Sequence, residues 1–231
     1  MPIKKIIQIN ALYSKINSHI IHSLNKFSTN RIWLLSPFLG IALFILLYLI
    51  AALLYPGGYD YDKMAPGFSW RYNYWCELLA EKAQNGAANS ARPVAIFGMF
   101  VLAASLIMFW YLFSFVFTDK GRLLVRYTGL LSMIISLFLF AGPHDLVMIV
   151  SGLLGLFAMS VCLVILYRQK QYWVIFIGWL CIALCALNNY IYYSGVGFSY
   201  LAIIQKFTFI LFFLWFDWVN IIIYKSALNR G

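Results

Sequence analysis

The sequence predicts an all-α polytopic membrane protein: a six-transmembrane-helix bundle preceded by an N-terminal amphipathic helix. Three observations predict it. Of the 231 residues, 64% are hydrophobic and only 10% charged, whereas a soluble domain is about half apolar and about a quarter charged. Six runs reach the ~20 mostly apolar residues that a helix needs to cross a bilayer. The polar residues gather between those runs, so no stretch remains for a separate soluble domain. The chain divides into residues 1–30, a cytoplasmic amphipathic helix and linker, and residues 31–231, the membrane domain, with one long outer loop at 56–91.

In chain order, Ile6, Ile9, Tyr13, Ile16, Ile20, Leu24 and Phe27 recur every three or four residues, which puts them on one helix face. Lys4, Lys5, Lys15 and Lys26 lie off that face, as in a helix resting on the inner leaflet. A helix packed against the bundle has the same pattern. The mixed polar character of this segment predicts no cleavable signal. His19 and His22 are spaced i, i+3, but two ligands make a weak metal site, and solvated histidines account for them. Ser28-Thr29-Asn30 supplies capping residues.

The first span runs from about Arg31 to Tyr55 and stops at Pro56-Gly57-Gly58. The loop that follows opens with Tyr59, Asp60, Tyr61 and Asp62, and its length without an apolar run is of the kind that carries function. Within it, the pattern predicts a short helix from about Trp70 to Gln84, with Tyr74, Trp75, Leu78 and Leu79 at the membrane interface. Glu77 and Glu81 are one turn apart on it, and Asn85-Gly86 stops it. The remaining spans are about Pro93–Phe117, Leu123–Phe140, a fourth from His144 to about Tyr167, Tyr172–Tyr193 and Tyr200–Tyr224. They are separated by a basic turn at 118–122, Gly142-Pro143, Arg168-Gln169-Lys170 and Ser194-Gly195-Val196-Gly197.

The net charge of +10 does not point to nucleic acid, because the basic residues sit in short segments between apolar runs. Twelve of the 17 fall on the side of the N-terminus: Lys4, Lys5, Lys15, Lys26, Arg31, Lys120, Arg122, Arg126, Arg168, Lys170, Lys225 and Arg230. Lys63, Arg71, Lys82 and Arg92 fall on the other side, and Lys206 lies near the start of the last span. The positive-inside rule then predicts both termini in the cytoplasm, of a multi-pass protein of the bacterial inner membrane. The four cysteines form no Cys-x-x-Cys metal pattern and no disulfide framework.

His144-Asp145, which opens the fourth span, is the first candidate for chemistry. A neutral imidazole beside a carboxylate is poised to act as acid or base. An Asp in the first turn of a helix is also explained by capping and the helix dipole alone. Glu77 joins these two as a candidate catalytic residue. Asn188, Asn189 and Tyr192, near the outer end of the fifth span, together with Glu81 and Trp75 of the loop, are candidates to bind substrate. Asp60 and Asp62 add loop oxygens, but we expect no metal, since His144 is the one histidine near the bundle. Gly178, Cys181, Cys185, Asn188 and Tyr192 share one helix face, as Ser151 and Gly155 do, and small residues there let helices approach closely. Asp217 and Lys206 are ionisable residues within the last span, which is a functional signal by default and equally the signature of a buried salt bridge. They lie about 16 Å apart along the axis, so each needs its own partner; Arg122 or Arg126 is expected to meet Asp217.

Asn85-Gly86, Asn89, Arg92-Pro93 and the helix opening Ala95-Ile96-Phe97-Gly98, with the start His144-Asp145-Leu146-Val147, resemble uncharacterised bacterial six-helix membrane families. Those families are similar to the eukaryotic Frag/DRAM group, part of which is associated with lipid-anchor remodelling. The resemblance covers most of the chain as a pattern of helices and implies lipid as ligand. Ceramidase-type hydrolases hold one zinc with several histidines, an Asp and a Ser; this chain has one candidate histidine in the bundle, so that zinc chemistry is not carried over.

The leading expectation is a protein that binds or processes a lipid or other amphiphile in an outward-facing polar pocket lined by His144, Asp145, Glu77 and Asn188. Membrane lipids are the expected partners, with assembly into a homo- or hetero-oligomer. A non-enzymatic accessory subunit of a membrane complex and a small proton-linked transporter using Asp217 and Lys206 are the alternatives. Neither an enzymatic reaction nor a cofactor is fixed by the sequence.

Overall fold

A computed structural model describes residues 31–140 and 143–229, with only the backbone described for Arg31, Ile32 and His144. The expected amphipathic helix at 1–27, with His19 and His22, lies outside the described residues. Six helices follow the predicted spans: α1 (Ser36–Leu54), α2 (Arg92–Val116), α3 (Arg122–Ser136), α4 (His144–Arg168), α5 (Tyr172–Ser194) and α6 (Phe198–Leu228). All six, with α1 and α3 extended by 3-10 turns at Arg31–Leu35 and Leu137–Phe140, are long and apolar enough to cross a membrane. Pro37 and Pro93 stand in the first turns of α1 and α2, where a missing N–H costs nothing.

Consecutive helices pack side by side, and α6 closes the ring against α1 while also touching α2. Small residues set the closest approaches. At Gly129 of α3 a Cβ would overlap the Trp110 ring of α2. At Gly178 of α5 it would meet Leu163 of α4 and Trp215 of α6. Ser132 of α3 donates to the carbonyl of Ser151 on α4 (2.7 Å), one turn from Gly155. The glycine–cysteine face of α5 and the Ser151–Gly155 face of α4 are thus packing surfaces. An aromatic core fills the ring: Phe109 and Trp110 of α2 meet Trp215 and Phe216 of α6, with buried Phe113 beside Phe109.

The loop departs from the predicted helix. It begins as an antiparallel hairpin, β1 (Gly57–Tyr59) with β2 (Asp62–Pro66), and its helical part is a single 3-10 turn, Trp75–Leu79. Asparagine side chains explain the difference, because they offer the backbone an alternative to helical bonds. Asn89 Nδ2 donates to the carbonyls of Glu77, Leu78 and Ala80, and its Oδ1 accepts from the Ala91 N–H. Those carbonyls are occupied before a second helical turn can claim them. Nor do Trp75, Leu78 and Leu79 rest on the membrane surface. They are buried beneath the loop, with the Trp75 ring stacked on Phe209 of α6 (5.6 Å) and edge-on to Tyr48 of α1 (5.6 Å). The loop is a plug seated on the end of the ring.

Candidate functional site

The loop is held by a buried polar network centred on Asn73, which is 0% exposed. Asn73 Oδ1 accepts from the Ser69 N–H (2.7 Å), and Asn73 Nδ2 donates to the Gly58 carbonyl (2.7 Å) and to Glu77 Oε2. Gln84 Nε2 donates to the other Glu77 oxygen (3.2 Å), and the Gln84 N–H donates to the Tyr55 hydroxyl (3.0 Å). Lys63 on the rim donates to Gln84 Oε1 and pairs with Asp60. The carboxylate of Glu77 therefore has donors on both oxygens, yet burial dominates and pushes its pKa upward. Burial also pushes the Tyr55 hydroxyl up to about 12 and the Cys76 thiol up to about 11.

Lys206 enters this network from below. It lies in the first third of α6, 7% exposed, and its ammonium donates to the Asn73 carbonyl (2.5 Å) and to Ala202 O (2.9 Å), 5.7 Å from the centre of the Phe68 ring. Gln205 Oε1, next to it, accepts from the Trp75 N–H (3.2 Å). One asparagine thus bridges a lysine of the last span to a carboxylate of the loop, satisfying a buried cation without a direct ion pair.

The single outer pocket expected from the sequence is divided. Glu77 and Trp75 belong to the loop network, where Glu77, partly buried, is hydrogen-bonded by two amides and Trp75 is packed in the core. Glu81 is exposed and pairs with Arg92 (3.4 Å). Asn188 turns toward α6 and donates to Thr208 Oγ1 (2.7 Å), while Asn189 donates to Cys185 O of its own helix (2.9 Å). Tyr192, half exposed, lies within electrostatic reach of Asp145, so the start of α4 and the end of α5 are neighbours. The His144 side chain is outside the described residues. Among the described residues no group of three or more His, Cys, Asp or Glu could hold a metal ion.

Arg126 does not meet Asp217. Its Nε donates to Ser114 Oγ of α2 (2.7 Å) and its guanidinium covers the Tyr111 ring (4.6 Å). Asp217 Oδ1 is buried without a hydrogen-bond partner.

An open depression of about 270 Å³ lies where the loop meets the start of α6, lined by Tyr61, Arg71, Tyr72, Ser199 and Tyr200. The Arg71 guanidinium stands over the Tyr72 ring (5.3 Å), and Tyr72 is stacked on Tyr59 (4.8 Å) and edge-on to Tyr61 (5.6 Å). No carboxylate pairs with Arg71 among the described residues. The sequence reading missed this site because its residues are 139 positions apart at the extremes, Tyr61 to Tyr200. The one signal available is the acidic and aromatic opening of the loop, Tyr59, Asp60, Tyr61 and Asp62, which by itself names no partner on α6. No family model, curated protein or solved structure matches the chain.

Proposed function

We propose that the protein is an integral membrane protein that binds the head group of an anionic lipid, or of a comparable amphiphile, at the loop end of the bundle. The observation that carries this reading is Arg71, a guanidinium set in a ring of tyrosines above the ends of apolar helices. Arginine presents a planar fork that matches phosphate oxygens, and tyrosine favours the head-group level of a bilayer. Ser199 adds a hydroxyl, and the first turn of α6 adds backbone N–H groups. Binding rather than processing fits the side chains present, because Glu77 is withdrawn into the loop network. The resemblance to the Frag/DRAM group supports a lipid as the ligand, and the loop would face outward with both termini in the cytoplasm.

Native mass spectrometry of the detergent-extracted protein, titrated with phosphatidylglycerol or phosphatidylcholine, tests the reading. Preferential retention of the anionic lipid is expected, weakened about tenfold or more in Arg71→Gln, the loss of a charge-assisted contact. Equal retention of both lipids, or an unchanged Arg71→Gln variant, would overturn it.

A further inference from the structure

We infer that Asp217 and Asn220 of α6 form a proton-binding site inside the membrane domain, in which the proton joins a carboxylic acid to a carboxamide. The two residues are three apart on one helix, so their side chains are neighbours on the same face. Asn220 is 1% exposed, and both its Oδ1 and its Nδ2 are buried without a partner. Asp217 Oδ1 is buried without a partner as well. Three unsatisfied polar atoms within one turn of an apolar helix are rare in a folded interior.

Their chemistry is complementary only when the carboxyl is protonated. A carboxylic acid offers one O–H donor and one carbonyl acceptor, and a carboxamide offers one carbonyl acceptor and N–H donors. In the protonated pair Asp217 O–H donates to Asn220 Oδ1 while Asn220 Nδ2 donates back to the Asp217 carbonyl oxygen. The ionised carboxylate can accept from Nδ2 but leaves Asn220 Oδ1 without a donor. Protonation adds one proton from water to the carboxylate and forms one O–H bond; release reverses both.

Among the described residues no cation pairs with the carboxylate of Asp217. On the elements packed against α6, α1 carries no charged residue and has Tyr48 as its titratable group. The charged residue of α2 is Arg92, at the loop end and bound to Leu79 O; its Tyr111 lies under Arg126. The titratable groups of α5 are Cys181, Cys185 and its tyrosines, and the turn 31–35 carries Arg31. On α6 itself, Lys206 and Lys225 lie about 16 and about 12 Å away along the axis.

Infrared difference spectra of the full chain in lipid nanodiscs, stepped from acid to alkaline pH, test the inference by a signal independent of Arg71 and of any lipid binding. The expected result is a protonated-carboxyl C=O band that titrates, disappears in Asp217→Asn and moves in Asn220→Leu. Asp217→Ser serves as a second variant should Asp217→Asn fail to fold. Loss of no band in either Asp217 variant would mean a permanently ionised, paired carboxylate and would overturn the site. A band that never titrates, or one indifferent to Asn220→Leu, would equally overturn it, leaving a fixed acid or a residue held by a bridging water.

Discussion

Glu77 accepts hydrogen bonds on both oxygens, yet burial raises its pKa above the ordinary 4.5. The sign of the consequence follows from linkage. Between the ordinary and the raised value the folded protein binds more protons than the unfolded chain, so stability falls as pH rises. The favourable contribution is complete below the unfolded-state pKa and is lost as pH rises through the folded-state one. Glu77→Gln stays neutral throughout and should remove that part of the slope, which melting midpoints measured across acid to neutral pH will reveal; an unaltered slope would show that ionised Glu77 is not penalised. Sequence alone marked Glu77 and Lys206 as ionisable residues worth explaining. It did not join them, because the connection passes through the main-chain carbonyl of Asn73, and a carbonyl has no residue signature.

The six long helices were legible because length and hydropathy alone decide whether a segment can span a bilayer, and their observed ends fall within a few residues of those expected. The loop was not, because helical spacing at Tyr74, Trp75, Leu78 and Leu79 is equally met by a short 3-10 turn buried on one side. Side chains of Asn73, Asn85 and Asn89 settle the matter through bonds that spacing does not encode. Glycine contributes too. Gly58 has φ of +83°, and a Cβ there would stand 2.5 Å from the Asn85 nitrogen. The left-handed backbone alone costs a non-glycine residue about 1–2 kcal/mol, and the overlap adds to it. Gly58→Ala should lower the melting midpoint by about 2–4 °C or more and open the 56–91 loop to limited proteolysis. A variant with wild-type melting and cleavage would show that the hairpin adapts.

The plug sits on one end of the ring, and the clustered basic residues of the short turns sit on the other, where Arg168 pairs with Asp119 (3.6 Å). Such a molecule has a definite orientation to test. Met64, on β2, is 90% exposed, and Met64→Cys should react with a membrane-impermeant maleimide on intact cells while a tag at the C-terminus stays protected. Native Cys76 gives little background, since burial keeps its thiol protonated at neutral pH. Reaction of Met64→Cys only after lysis would reverse the orientation. The candidate site was the least legible feature at this scale. Residues expected to share one pocket are apportioned among the loop, the α5–α6 contact and the start of α4, and only the three-dimensional closure of the ring decides that.

The hydrogen bond from Lys206 to Asn73 joins residues 133 positions apart. Chains are made from the N-terminus, and early segments begin to fold while later ones are still being synthesised. The loop leaves the ribosome after the first span, but its anchors at Lys206, Gln205 and Phe209 belong to the last. While the four intervening helices are being made, the Trp75 ring lacks its stacking partner and the Asn73 carbonyl its donor. The loop thus reports completion of the chain: it can be locked down only on a protein whose final helix is in place.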